Sequence, residues 1–363
     1  MAINQNTTIM RKSLIPISFP LPHTMPEGII WLAADIGGTK TDMALFTIQK
    51  GKPAIIFEQR FRTQEWTSLT EMIRFFCNGN SYPERMCISF AGPVKDGRAK
   101  GTNIEWTVDS HVLSMELGIP HVHLINDLEA NCYGLAALTK TDFKVIYPGK
   151  NRQPGNAAVI SPGTGLGEGG LYWDGEMYHP FATEGGHAHF APRTEQDWRL
   201  FKFLSKQFGH VSWERVVSGI GICNIYEFLW EEAHGEAPMP LKRGVNLDAA
   251  AISQAAEDGC DVSIATLRLF TRYLAQEAAN VAMKFKAHGG IFIGGGIIPK
   301  IWNDSHFEIF KEYFFQVGRL YPLIESVPVT LVLNQKTALL GAGYYGAYSN
   351  TVENTVSEEG LFV

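Results

Sequence analysis

Three glycine-rich stretches, each placed where a short apolar run ends, carry the residue types that grip phosphate. Asp35-Ile36-Gly37-Gly38-Thr39-Lys40-Thr41 follows Ile29–Ala34, Gly163-Thr164-Gly165-Leu166-Gly167 follows Ala157–Ile160, and Gly294-Gly295-Gly296 follows Ile291–Ile293. Backbone N–H groups reach phosphate oxygens only where no side chain blocks the approach, and glycine supplies both the access and the unusual dihedrals. In the first stretch Asp35 could hold a magnesium ion directly or through water while Thr39 donates to a phosphate; the plain alternative is a hairpin turn. Neither of the first two stretches has the Gly-x4-Gly-Lys-Ser/Thr pattern of a P-loop. The second also fails as a dinucleotide fingerprint, because a single residue separates its last two glycines and extended chain, not a helix, follows.

Acids and an imidazole complete the chemistry. Asn126-Asp127 stands at the end of the apolar run His121–Ile125, where a carboxylate could accept a hydroxyl proton as general base in phosphoryl transfer. The alternative at the same place is a helix N-cap. Thr183-Glu184-Gly185-Gly186-His187 puts a carboxylate and an imidazole on a glycine-hinged loop, suited to bracketing vicinal hydroxyls. Glu214 lies at the predicted start of a helix, where a bland first-turn role is the alternative. His179, His187 and His189 lack the spacing of a helical ligand pair, and no cysteine lies between Cys132 and Cys223, which argues against a structural zinc.

The elements that must position these groups follow from pattern. Ile29–Ala34, the Gly37-Gly38 turn and Met43–Thr47 predict a hairpin, with a third strand over Ala54–Phe61. Ser68-Leu69-Thr70-Glu71 reads as a capping box opening a helix to about Cys77, and Asp109 caps a short helix stopped by Gly118. Arg85–Phe90 and His121–Ile125 read as buried strands, with a helix over Leu128–Ala137. After Ala157–Ile160, Asp174-Gly175 turns a second hairpin. The middle of the chain is helical, its longest helix running from about Val262 to Lys286. Strands at Ile291–Ile293 and Val327–Leu333, a helix around Phe307–Phe315 and a final helix from Thr337 complete the reading. Strand-to-glycine junctions at Asp35, Ile160 and Ile293 suggest two α/β domains with ligand loops at strand ends.

Composition bounds the class. The 363 residues are 45% hydrophobic, 12% aromatic and 19% charged, enough apolar material for a large core and enough length for two domains. Net charge is 31 − 37 = −6, which leaves no general nucleic-acid footprint. Five scattered cysteines point to a reducing, cytoplasmic setting rather than a disulfide framework. No stretch is apolar for long enough to span a bilayer. In Met1–Gly28, prolines 16, 20 and 22 interrupt any apolar helix, so this segment reads as an extended arm or a disordered leader, not a secretory signal.

Taken in order, Asp35-Ile-Gly-Gly-Thr39, Ile125-Asn126-Asp127, Gly163-Thr-Gly-Leu-Gly167, Glu184-Gly-Gly-His187, Glu214-Arg-Val-Val-Ser-Gly219, Gly294-Gly-Gly-Ile-Ile-Pro299 and Thr337-Ala-Leu-Leu-Gly341 resemble the bacterial ATP-dependent glucokinases, over roughly Ile29–Tyr348. The resemblance implies an α/β, two-domain actin-like ATPase (ribonuclease H-like) fold with a ligand cleft between the domains. The domains would be an arm (1–28), a small α/β domain (29–125), a large one (126–335) and a C-terminal helix (336–363) returning to the small domain. It implies glucose phosphorylation at the 6-hydroxyl with ATP and Mg²⁺, Asp127 as catalytic base, and Asn126, Glu184, His187, Glu214 and Asn103 as sugar ligands. Ala34, Asp35, Ile36, Gly37, Gly38, Thr39, Gly163, Thr164, Gly165, Gly294 and Gly295 would approach the nucleotide, no metal site would be built from protein ligands alone, and a homodimer is expected. The sequence departs from the usual pattern in Lys40 after Gly-Gly-Thr, in Glu168 directly behind the second loop, and in the Met1–Gly28 extension. Alternatives within reach of the same residues are a kinase for another hexose or an N-acyl hexosamine, and a non-catalytic sugar-sensing protein.

Overall fold

The computed structural model of the chain describes residues 13–23, 25–101, 106–235 and 237–350. They form two compact units, one made of the described residues up to Ala137 and from Lys336 onward, the other of Leu138–Gln335.

The first unit is built on a five-stranded sheet of order β3-β2-β1-β4-β8, formed by β1 (Ile30–Ile36), β2 (Lys40–Gln49), β3 (Lys52–Arg62), β4 (Arg85–Phe90) and β8 (His121–Asn126). A small second sheet joins β5 (Val94–Lys95), β6 (Arg98–Lys100) and β7 (Thr107–Asp109), strands too short for the hydrophobic pattern to reveal. β4 is buried along its whole length, as a central strand with parallel neighbours on both sides requires, and β3 is a largely exposed, charged edge. β2 turns into β3 through Lys50-Gly51, both at positive φ, a two-residue hairpin. Helices Leu69–Cys77 and Ser110–Leu117 pack on the sheet face that carries Leu32, Ala34 and Ile36. Ser68 accepts from Glu71 N as expected, but the Glu71 carboxylate accepts from Thr67 Oγ1, so only half of the predicted capping box forms.

Helices Asp127–Gly134 and Thr337–Tyr348 cover the opposite face, where Trp31 Nε1 donates to the Gly343 carbonyl at 2.8 Å. A Cβ on Gly341 would lie 1.8 Å from the Ala130 carbonyl, so these helices meet backbone to backbone. The helix after Asn126 therefore belongs to the first unit. The sequence boundary at residue 125 places it in the second, and the unit division instead falls after Ala137, because a partner more than two hundred residues later fixes its membership. The described part of the N-terminal arm is an extended segment with Ile17 and Phe19 buried; the Phe19 ring stacks on Tyr133 at 5.0 Å.

The second unit repeats the plan. β9 (Phe143–Tyr147), β10 (Ala157–Pro162), β11 (Leu166–Trp173), β12 (Tyr178–Thr183), β13 (Gly290–Ile293) and β14 (Val329–Val332) form a sheet of order β12-β11-β10-β13-β14-β9. Apart from the added β9, each sheet has three antiparallel strands followed by two parallel ones. Its core gathers around the helix Asp261–Phe285, on which Leu267, Tyr273, Leu274, Ala278 and Val281 are buried at helical spacing. The helix predicted from about Phe307 begins at Asp304, because Asn303 caps it, accepting from Ser305 N and His306 N.

Candidate active site

Each unit contributes one half of the candidate residues. In the first unit Ile36 pairs with Phe90, and Phe90 with Asn126, so the carboxyl ends of β1, β4 and β8 lie level. Gly37–Thr39 is the three-residue loop between β1 and β2. It is stapled from below by the buried Thr63, whose N–H donates to the Thr39 carbonyl and whose hydroxyl donates to the Gly37 carbonyl at 2.8 Å. The turn is thus a hairpin and an exposed, rigid run of backbone at once. Ala34 and Ile36 lie inside β1 with side chains in the core, so any part they take with a ligand falls to the backbone.

Asp35 keeps some exposed surface although protein atoms crowd it from most sides. Desolvation raises its pKa above the ordinary carboxylate value, against the single hydrogen bond from Ser89 Oγ at 2.8 Å. Asp42, opposite it in the sheet, is neutralised by a two-point bond from Arg60 at 2.6 and 3.0 Å. Asp35 has no such cation. An undercompensated carboxylate at a strand end beside a bare loop is the donor set that a magnesium ion arriving with polyphosphate requires. Among the described residues no cluster of three or more His, Cys, Asp or Glu could hold a metal alone.

Asn126 is the N-cap of the helix Asp127–Gly134. Its Oδ1 accepts from Leu128 N at 2.9 Å and Glu129 N at 3.3 Å, and its Nδ2 donates to the Gly92 carbonyl at 3.0 Å. One amide proton of Nδ2 remains for a ligand. Capping therefore falls to Asn126, not to Asp127, which is half-buried and opens the first turn. Asn103 lies outside the described residues.

In the second unit the remaining candidates converge on one hairpin loop. Gly163–Gly165 joins β10 to β11, closed by Gly163 N donating to the Gly165 carbonyl at 2.8 Å. Glu214 Oε2 accepts from Leu166 N at 3.1 Å and lies 2.4 Å from where a Cβ on Gly165 would stand. Glu214 itself sits in the 3-10 turn Trp213–Arg215, not in the first turn of an α-helix. The helix begins at Gly219 behind its Ser218 cap. Gly219 N donates to the Gly163 carbonyl at 2.8 Å, and Gly295, at φ +83°, would drive a Cβ to 2.1 Å from the Pro162 carbonyl. Gly294 N bonds the Ile160 carbonyl at 2.8 Å. Three backbone segments thus meet around residues 162–165.

The turn carrying Glu184 and His187 leans on the same hairpin. Both side chains are more than half exposed, with His187 Nε2 and Glu184 Oε2 4.0 Å apart. Gly185 packs on the Glu168 carboxylate and Gly186 on the Leu166 carbonyl, where added Cβ atoms would lie 2.1 Å away in each case. Trp213 N donates to the Ala188 carbonyl at 3.0 Å, tying this turn to the one that carries Glu214.

Beneath the turn lies a feature that the motifs do not predict. Glu168 is 2% exposed and Glu277 fully buried, close enough that the charge of Glu277 acts on Glu168. Two buried carboxyls that feel each other's charge favour a state in which one keeps its proton, and Glu168 Oε1 has no hydrogen-bond partner among the described residues. Glu277 accepts from Asn280 at 2.8 Å and from Lys284 at 3.3 Å, and burial with the Glu277 charge pushes Glu168 up to about 8. Glu168 is thus the protonated partner. Its position behind the glycine loop was the only signal in the sequence.

The glucokinase family model matches residues 32–348. The chain belongs to the glucokinase family. The glucokinase of Trichormus variabilis is 38% identical over 341 residues, covering 87% of this chain and 98% of its own length. That of Synechocystis is 36% identical over 351 residues, covering 89% and 99%. Among solved structures, a glucokinase from an Antarctic psychrotroph matches with a TM-score of 0.74 at 34% identity, over 87% of this chain and 98% of that one. A Balamuthia mandrillaris glucokinase in complex with glucose matches with a TM-score of 0.74 at 21% identity, over 88% and 93%, and shows the shared fold. The match spans all of the motifs from Asp35 to Gly341.

Proposed function

We propose that this chain is an ATP-dependent glucokinase that binds ATP and glucose with residues of both units, in the cytoplasm, and makes glucose 6-phosphate and ADP. The observation that carries this reading is the shared hairpin of the second unit. One loop, Gly163–Gly165, offers bare backbone of the kind polyphosphate needs, and the strand it opens anchors Glu214 and the Glu184–His187 turn. Three exposed or loop-borne groups able to bond sugar hydroxyls are thereby fixed relative to a phosphate loop, which is positioning of the kind phosphoryl transfer requires.

In the reaction, Glu184, His187, Glu214 and Asn126 orient the sugar. Asp127 takes the proton of the 6-hydroxyl as that oxygen bonds the γ-phosphorus and the bond to the β,γ-bridging oxygen breaks, releasing ADP. Gly37–Thr39 and Gly163–Gly165 supply backbone donors to the phosphates, with Gly294 and Gly295 beside the nucleotide. Mg²⁺, when bound with ATP at Asp35, neutralises phosphate charge.

The test is ADP release with ATP and Mg²⁺ across glucose, mannose, fructose and N-acetylglucosamine, in the wild type and in Asp127→Asn. Glucose is expected to give the highest kcat/KM. Asp127→Asn is expected to lower kcat by about 10²–10⁴ while glucose affinity stays within severalfold. A preference for N-acetylglucosamine or mannose would replace the substrate assignment, and near-normal turnover in the variant would remove Asp127 as base.

A further inference from the structure

The amino ends of β4 and β8, the opposite strand ends from Phe90 and Asn126, hold a basic cluster for which the kinase reading has no use. Arg85 opens β4, pairs in register with His121 of β8 and is only 6% exposed. Its Nη2 donates to Asn350 Oδ1 at 3.2 Å, its Nη1 meets His23 Nε2, and its Nε has no partner. His123, two residues along β8, is also buried, and its Nε2 is likewise without a partner. Arg85, His23 and His121 line a cavity of about 640 Å³ whose other walls include Met25, Ile29 and Pro120. Glu84 lines it too, yet among the described residues no carboxylate lies within ion-pairing range of Arg85.

Removing a guanidinium from water without a counter-charge is costly, and proteins normally offset it with a carboxylate. Here the surrounding groups are imidazoles. Burial and the Arg85 charge hold His23 below its ordinary value and push His123 down to about 4, so neither adds a competing cation at neutral pH. What remains is one fixed positive charge without a carboxylate, on a side chain that lines a cavity of ligand size shared with the apolar Met25, Ile29 and Pro120. An oxyanion entering the cavity would supply the missing counter-charge to the guanidinium.

We propose that this cavity is a second ligand site, remote from phosphoryl transfer, which takes a small organic anion whose carboxylate or phosphate head pairs with Arg85 and whose apolar body lies along Met25, Ile29 and Pro120. The site stands independently of the kinase assignment, since it uses none of the residues given a role there.

Calorimetric titration of phenyl phosphate and of benzoate into the full chain, saturated with glucose and ADP, tests it. Benzyl alcohol serves as the uncharged control, and Arg85→Met as the variant that keeps the side-chain length and loses the charge. Saturable binding of at least one anion, at least tenfold weaker in Arg85→Met and absent for benzyl alcohol, is expected; the stronger of the two anions identifies the head group. Kinase activity of Arg85→Met within twofold of wild type reports that the variant is folded. Equal anion binding by both proteins, or no binding by the wild type, overturns the proposal. Should the variant fail to fold, crystals of the wild type soaked in selenate decide the matter: an anomalous selenium peak at the Arg85 guanidinium supports the site, and its absence there overturns it.

Discussion

A single methyl group distinguishes the two uses of glycine in this chain. At Gly37 and Gly163 the benefit is open approach for a ligand, since nothing but backbone lies near a would-be Cβ. At Gly186 the benefit is packing. A Cβ there would stand 2.1 Å from the Leu166 carbonyl, a backbone atom that cannot yield without shifting β11. Gly186→Ala is therefore expected to lift the Glu184–His187 turn off the hairpin and raise the KM for glucose tenfold or more, with the KM for ATP changed much less; steady-state kinetics with each substrate varied would show it. An unchanged glucose KM would mean that the turn is not seated as described. The pattern Glu-Gly-Gly-His suggests a hydroxyl-binding loop from residue types alone. The reason for its second glycine was not, because nothing within residues 184–187 points to Leu166.

Among elements, what the sequence announces is local and what it conceals is tertiary. The β1–β2 and β11–β12 hairpins, the Asp109 and Asn126 caps and the helix Asp261–Phe285 all follow from turn residues, capping side chains and periodicity within a short window. The Glu168–Glu277 pair joins a strand to the far side of a helix, and no window contains both. Its consequence is a pH dependence of stability. The unfolded glutamate releases its proton near 4.5, whereas the folded Glu168 carboxyl keeps it up to about 8. Between those values the folded chain binds more protons than the unfolded one, so this contribution is full below the lower value and is lost as pH rises through the upper. Thermal melts are expected to show Tm falling by several degrees from about pH 6 to about pH 9. Glu168→Gln keeps a donor toward Glu277 without a titrating proton and should flatten that slope. A slope equal to wild type would show that another group titrates.

For the whole molecule, the repeated strand order places a glycine hairpin in each unit, and the proposed reaction draws on residues of both. A kinase of the proposed kind must keep water from the γ-phosphate until a hydroxyl is in place. ATP hydrolysis without sugar is accordingly expected to run at less than about 10⁻³ of the glucose-dependent rate. A five-carbon analogue lacking the 6-hydroxymethyl group should stimulate that hydrolysis by leaving room for water; phosphate-release measurements with and without xylose distinguish this from a site that never excludes solvent. One feature of the first unit reaches beyond catalysis. The helix Asp127–Gly134 is seated against Gly341 and Gly343 lies over Phe46, yet those glycines follow the whole of the second unit in the chain. During synthesis the nascent N-terminal sheet must wait with one face uncovered while the whole of Leu138–Gln335 emerges and can fold, so the half bearing the proposed base is completed only after the other half has been made.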